Sequence, residues 1–442
     1  MLTYPWWLNW LPTSVRLRVG HRQQLLKVVG NSGWLLADKL ARMVLGLLVG
    51  AWVARHLGPA QFGLLAYALA NIAMFQAFAS LGADAIIVRD ISQDVSAAPQ
   101  VLGSAFALRL GIGVVCWAAV TAAAALFGSR DSHMIALTAV VGGVLVFQAA
   151  DVVDLWFQSQ SQSKRTVVAK LIAYVISNGV KVALILTGAP LIAFAAVTAF
   201  EALAAAVALL VAYRRFRAPQ TWVVTARAMK AILSESWPFM LSGLSIMIYM
   251  RADQILVKEV LGVHELGIYA AILPISQLWQ VVPLTVALSI APLIAQAKTG
   301  DQETYRRTIV LVFRTFFYAG VVAATTTWAI SGLLVPRLFG SAFSSAVPIL
   351  DAHSVSNIFC FMGIAHSLWL TNERRFAVRL CGTVLAGLVT IGLNLFLLPR
   401  VGLIGACYSA IVAQCIAAFL INAILDRRGF KLQFDAITFR KA

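Results

Sequence analysis

"RHLGPAQFGLLAYAL" at residues 55–69 returns, altered but in register, as "EVLGVHELGIYAAIL" at residues 259–273. Leu57, Gly58, Gly63, Ala66 and Leu69 recur as Leu261, Gly262, Gly267, Ala270 and Leu273, and Phe62 is matched by Leu266. Each copy reads as a glycine turn running into a long apolar helix. A tight glycine turn is common by itself, so the repeat reading rests on the constant offset of the matched positions.

Around the repeat the chain is too apolar for a soluble domain. Of its 442 residues 60% are hydrophobic and only 12% charged, with a mean hydropathy of +0.84, more apolar surface than a globular interior can hide. A hydrocarbon core of ~30 Å takes ~20 apolar residues per helix. Twelve such runs are predicted, at 33–56, 61–88, 101–127, 133–158, 166–188, 190–213, 231–256, 265–296, 308–335, 345–370, 376–399 and 401–425. The expected fold is an all-α polytopic membrane protein with almost nothing outside the bilayer.

A net charge of +17 would point to nucleic acid in a soluble protein, but the positions of the cations decide otherwise. Arg16, Arg18, Arg89, Lys164, Arg165, Arg214, Arg215, Arg217, Arg227, Lys298, Arg306, Arg374 and Arg427 all fall in alternate connections or the tails. The remaining connections hold only Arg55, Arg130, Lys258, Arg337 and Arg400. By the positive-inside rule both termini lie in the cytoplasm.

The expected division is an interfacial N-terminal segment at 1–32, a six-helix bundle at 33–213, a basic cytoplasmic linker at 214–230, a second six-helix bundle at 231–425 and a cytoplasmic tail at 426–442. Trp6, Trp7 and Trp10 beside Arg16 and Arg18 suit a segment lying on the membrane surface, and no signal-peptide pattern precedes them. Cys116, Cys360, Cys381, Cys407 and Cys415 lie in predicted helices without paired spacing, pointing to neither disulfides nor metal. Because six is even, both halves enter the membrane in the same sense. The repeat then relates them by a pseudo-two-fold axis along the membrane normal, with a central cleft between them.

The stretch "LADKLARMVLGLLVGAWVARHLGPAQFGLLAYALANIAMFQAFASLGADAIIVRDI" (36–91) resembles the opening of bacterial polysaccharide flippases. These form the O-antigen branch of the multidrug/oligosaccharidyl-lipid/polysaccharide exporter superfamily. "RADQILVKEVLGVHELGIYA" (251–270), "LFGSAFSSAVPIL" (338–350) and "NLFLLPRVGLIGACYSAIVA" (394–413) follow in the order that family leads one to expect. The resemblance implies a carrier, not an enzyme, with no cofactor. Its substrate would be an undecaprenyl-diphosphate-linked oligosaccharide moved from the cytoplasmic to the periplasmic leaflet of the bacterial cytoplasmic (inner) membrane. Its partners would be that lipid-linked sugar, the bilayer and polysaccharide polymerase or assembly proteins.

Passing a diphosphate through hydrocarbon calls for a hydrated cationic cleft, and a charge at the bilayer centre costs ~3 kcal/mol or more, which makes intramembrane ions functional candidates. Lys39, Arg42, Arg109, Lys170, Lys181, Arg251, Arg314 and Arg379 all lie on odd-numbered helices. Asp84, Asp151, Asp154, Glu201 and Asp351 lie on even ones. Lys39, Lys170 and Arg379 are close enough to the interface to snorkel. At ~1.5 Å per residue, Arg42 lies roughly 14 Å deep, Arg109 roughly 12 Å, Lys181 roughly 22 Å and Arg314 roughly 9 Å.

Arg42, Arg109, Lys181, Arg314, Lys39 and Arg251 are therefore the candidates for a cationic substrate site, and Glu201, Asp38 and Asp84 the candidates for ion coupling. Asp38 and Arg42 share a helix face at i,i+4, as a structural pair or as a substrate contact. Arg251 and Asp253 differ by two residues and so point apart; they are expected near the periplasmic end, where they suit an outer gate or simple interfacial solvation equally. Glu201 is either a coupling carboxylate or a structural partner of Lys181. Pro274, Pro283 and Pro292 each remove a helical hydrogen bond, which suits a gating kink and also occurs in membrane helices without one.

Rival classes lack their signatures. Outward connections of a few residues leave no room for the loops of a membrane glycosyltransferase, polymerase or ligase. The carboxylates of "DVVD" (151–154) are an isolated pair. His21, His56, His133, His264, His353 and His366 show no ligand spacing, and no Walker A motif appears. A multidrug exporter of the same superfamily would want an anionic cleft. A major-facilitator carrier would want a basic Gly-Asp-Arg-type motif where "RDISQDVSAAPQ" (89–100) stands.

Overall fold

The computed structural model describes residues 23–127, 132–216 and 221–438, with side chains from Lys39 onward, Phe127 and Phe376 excepted. The surface segment expected around Trp6, Trp7 and Trp10 lies outside the described residues. In hydrocarbon every backbone amide has to be satisfied within its own segment, and these alanine- and leucine-rich runs do so as helices.

Among the described residues eleven helices are long and apolar enough to cross a membrane, and the first of them holds two spans. Helix Gln23–Ala79 is bent at Gly58, whose φ of 71° and ψ of 169° lie in a region essentially reserved for glycine. Pro59 then opens the next helix, where its missing N–H would have had no partner anyway. The second copy does the same: Ala226–Leu261 ends at Gly262 (φ 96°, ψ 175°), which starts Val263–Leu278. The quoted stretch is thus a helix–glycine–helix turn made twice.

Spans three to six are Val95–Leu126, Ser132–Ser159, Lys164–Leu186 and Leu191–Arg215. Spans seven to twelve are Ala226–Leu261, Val263–Thr299, Gln302–Phe339, Ala346–Asn372, Ala377–Val401 and Ile404–Leu425. The face that carries the 214–230 linker and the C-terminal segment is called the basic face below, and the one carrying Gly58 and Gly262 the glycine-turn face.

Span eight is broken where the prolines predict a kink. Val263–Leu278 stops, Trp279 and Gln280 form a turn, and the helix resumes at Val281. Pro283 cannot donate to the Trp279 carbonyl, which instead accepts from Val282 N–H at 3.2 Å, a tighter turn. The helix runs on through Pro292.

The two copies of the repeat meet in the middle of the molecule. Ala51, Ala54 and Ala66 pack with Val257, Leu266, Tyr269 and Ile272 in one core cluster. At the glycine-turn face the Tyr67 hydroxyl donates to Glu259 at 2.7 Å, and Lys258 Nζ lies 4.5 Å from the Tyr67 ring centre. At the basic face the halves join along one edge, where Arg89 pairs with Glu235 at 2.6 Å and Gly82 abuts the backbone of Phe239 and Met240. The linker is fastened beside that edge: Val223 N–H donates to Pro99 carbonyl at 3.0 Å and Thr225 N–H to Ser104 Oγ at 3.1 Å.

The segment expected as a tail is instead a docked helix, Arg427–Ile437. Its capping residue Asp426 is fully buried and accepts from Trp369 Nε1 (2.7 Å), Arg375 (2.8 Å), Gly429 N–H (3.3 Å) and, at 3.3 Å, His366 Nε2. Burial disfavours the ionised carboxylate, but these hydrogen bonds outweigh it and hold Asp426 below the usual carboxylate range.

Candidate functional site

Between the halves lies a chamber of about 410 Å³, walled by spans two, four, six, seven and eight. Its walls are mostly apolar, with Phe62, Leu69 and Leu273 among them; Arg251, Gln76, Gln254 and Gln277 supply the polar groups. Arg251 lies eleven residues before Gly262, roughly 16 Å in and so near the middle of a ~30 Å core. It makes no hydrogen bond or ion pair among the described residues. Asp253, two residues on, turns away to accept from the Tyr269 hydroxyl at 2.6 Å.

A second cavity, also about 410 Å³, adjoins this chamber through Gln76 and lies toward the basic face, walled by the first six spans and by Met247 of span seven. Its charged groups are interlocked. Arg109, 3% exposed, donates to the carboxylate of Asp84. Lys170 bridges Asp151 at 2.7 Å and Asp154 at 2.9 Å, and the Thr166 hydroxyl also donates to Asp154. Three carboxylates here face two cations. A third cavity, about 300 Å³, occupies the corresponding place in the last six spans, with Arg379, His366, Gln414 and Asn422 on its wall. The second and third cavities are thus the polar recesses of the two halves, and the central chamber between them is mostly apolar.

A family model described as "Polysaccharide biosynthesis protein" matches residues 28–298, well over half the chain. The chain belongs to that family. A search of curated proteins finds no match. Among solved structures it is similar to the lipid II flippase MurJ in an inward closed conformation, at 13% identity and a TM-score of 0.71, covering 91% of each chain. It is also similar to an inward-facing multidrug resistance MATE family transporter (17% identity, TM-score 0.67, 91% of this chain and 96% of that one). A transporter from Pyrococcus furiosus, described by the reverse polarity of its binding pocket, aligns at 18% identity with a TM-score of 0.59 over 94% of this chain and 97% of its own. All three share their fold with this chain, and this member of the polysaccharide biosynthesis family is a multi-pass membrane protein.

Within this family member the remaining candidates turn to local partners. The Arg42 guanidinium sits 4.9 Å from the centre of the Tyr174 ring, whose hydroxyl donates to the Arg42 carbonyl at 2.8 Å; the Asp38 side chain lies outside the described residues. Lys181 pairs with Glu201 at 3.1 Å, joining spans five and six. Arg314 Nε donates to the Ala436 carbonyl at 3.2 Å and so helps dock the C-terminal helix. Lys39 is exposed at the start of the first span. Pro274 lines the central chamber, one helical turn before the break in span eight. The structure therefore brings Arg251, Arg109 and Asp84 to adjoining cavities and leaves Arg42, Lys181 and Arg314 at helix contacts. Gln76, Gln254 and Gln277 were missed by a search confined to ions; polar side chains inside apolar spans are the signal that finds them.

Proposed function

We propose that the protein flips an undecaprenyl-diphosphate-linked oligosaccharide between leaflets of the bacterial cytoplasmic membrane by alternating access, with the basic face cytoplasmic. The observation that carries this reading is Arg251, a guanidinium near mid-membrane in the chamber between the halves, which makes no direct ion pair among the described residues and feels the Asp253 carboxylate only through space. A diphosphate entering hydrocarbon has to exchange its water for fixed donors, and a guanidinium offers a planar, permanently charged fork. Arg109 and Lys170, on the path from the basic face, are held by carboxylates that an incoming phosphate could replace. The excess of acid there, Asp84, Asp151 and Asp154, favours a second reading, a MATE-like exporter of small organic molecules.

Reconstituted vesicles decide between the two. A fluorescent prenyl-diphosphate-linked sugar should become accessible to a soluble lectin or glycosidase in a protein-dependent way, and a dye such as ethidium should not be moved. Dye transport without sugar flipping would replace the first reading by the second.

A further inference from the structure

The central chamber carries three primary amides, and none of them has a side-chain partner among the described residues. Gln254 is the sharpest case, since its side chain is 3% exposed and its Nε2 is buried with no acceptor. Gln76 and Gln277 open onto the same space. A buried amide without an acceptor has given up its hydration with nothing in return, as Gln254 has; Gln76, exposed, and Gln277, half-buried, stand on the same wall and are free to meet a bound molecule beside it.

The chemistry of that molecule follows from the wall. A carboxamide offers two donors and an acceptor that can take two bonds, which matches a hydroxyl or acetamido group acting as both donor and acceptor. No carboxylate lines the chamber among the described residues, so nothing there balances an organic cation. Phe62, Leu69 and Leu273 present apolar area that suits the C–H faces of a sugar ring, and Arg251 alone supplies charge. At about 410 Å³ the chamber is at the lower end of small-ligand sites, too small for a whole oligosaccharide.

Building on the flippase reading, we propose that Gln254, Gln277 and Gln76 form the subsite that reads the sugar attached directly to the diphosphate, with Arg251 holding the phosphate beside it. The amides set which sugar is accepted, while Arg251 sets that the cargo is a diphosphate. A site built around hydrogen bonds to hydroxyls discriminates strongly against a ligand lacking them, because its own polar groups then stay unpaired.

The test uses the purified full-length protein in detergent micelles, titrated with farnesyl diphosphate and with farnesyl-diphosphate-linked glucose, galactose, N-acetylglucosamine and N-acetylgalactosamine. At least one sugar-bearing compound should bind about tenfold or more tightly than farnesyl diphosphate. In Gln254→Met and Gln277→Met that advantage should fall about five- to tenfold per amide, while affinity for farnesyl diphosphate itself changes less than twofold. Retained farnesyl diphosphate binding shows that the variants are folded. Equal binding of all five compounds by the unaltered protein, or equal weakening of all five by the Met variants, overturns the sugar subsite but leaves the flippase reading standing. Failure of every compound to bind the unaltered protein overturns both.

Discussion

Gly63 and Gly267 lie reciprocally against each other's turn. A β-carbon on Gly63 would overlap the carbonyl oxygen of Val263, and one on Gly267 would overlap the carbonyl oxygen of Pro59. Gly63 and Gly267 are equivalent positions of the repeat, and so are Pro59 and Val263, so the contact has the two-fold character of an isologous interface inside one chain. Because each neighbour is backbone, no rotamer change can make room. The two glycines therefore close the glycine-turn face, and the central chamber lies below their contact.

Gly63→Ala and Gly267→Ala should each force this seam apart. Overpacking of this kind costs ~1–3 kcal/mol, here paid by the closed arrangement alone. Cysteines introduced for Ala60 or His264 should label faster with a membrane-impermeant maleimide added from the glycine-turn side. Labelling at an unchanged rate would show that the seam is not what closes this face.

Arg251→Glu should abolish flipping, because it places a second anion where the diphosphate passes, and Arg251→Lys should keep part of the rate since charge remains but the fork is lost. Vesicle assays with protein content matched by immunoblot measure both. Near-normal flipping by Arg251→Glu would remove Arg251 from the substrate path.

The Asp84–Arg109 pair should be asymmetric. Arg109 is buried and the Asp84 side chain is 63% exposed. Asp84→Ala strands a buried cation and should cost ~3 kcal/mol or more, whereas Arg109→Met leaves a carboxylate that water can solvate. Thermal unfolding in detergent should rank Asp84→Ala as clearly the less stable. The double variant should recover most of that loss, the coupling expected for contacting charges.

Docking of the C-terminal helix should weaken in acid. The folded-state value for Asp426 lies below the ~3.9 of a free Asp. Its contribution is therefore complete above about pH 5 and is lost as the pH falls below about 4 and through the folded value. Hydrogen exchange of the amides of 427–437 should be slow near neutral pH and, after correction for intrinsic rates, lose protection in that acid range. Asp426→Asn should show the unprotected pattern even at neutral pH.

The spans and the glycine turns were legible in the sequence because both follow from local rules, the length of an apolar run and a backbone region only glycine enters. The direction a side chain takes from its helix was not. On span six the faces toward lipid and toward protein are both apolar, so periodicity there carries no facing information. The depths of Lys181 and Glu201 could be read, but whether they form a pair could not. Arg251 was found but expected near the periplasmic end, whereas eleven helical residues separate it from Gly262 and set it near mid-membrane, among side chains from spans two, four, six and eight. The C-terminal helix was missed because its few apolar positions sit among charges. The cap at Asp426 followed by Leu432 and Ala436 is the pattern that would have revealed it.

The anchoring of the linker to span three has a kinematic result. With Val223 and Thr225 hydrogen-bonded to span three, almost no slack remains before Ala226 begins span seven. The basic end of span seven is thus pinned to the first half, next to the Arg89–Glu235 contact. A body held at one margin can swing but not translate, so the gap it opens is a wedge, narrow at the pin and widest at the far margin. Cargo whose tail trails in the lipid would enter at that wide margin, and the strut at Val223 decides which side of the protein that is.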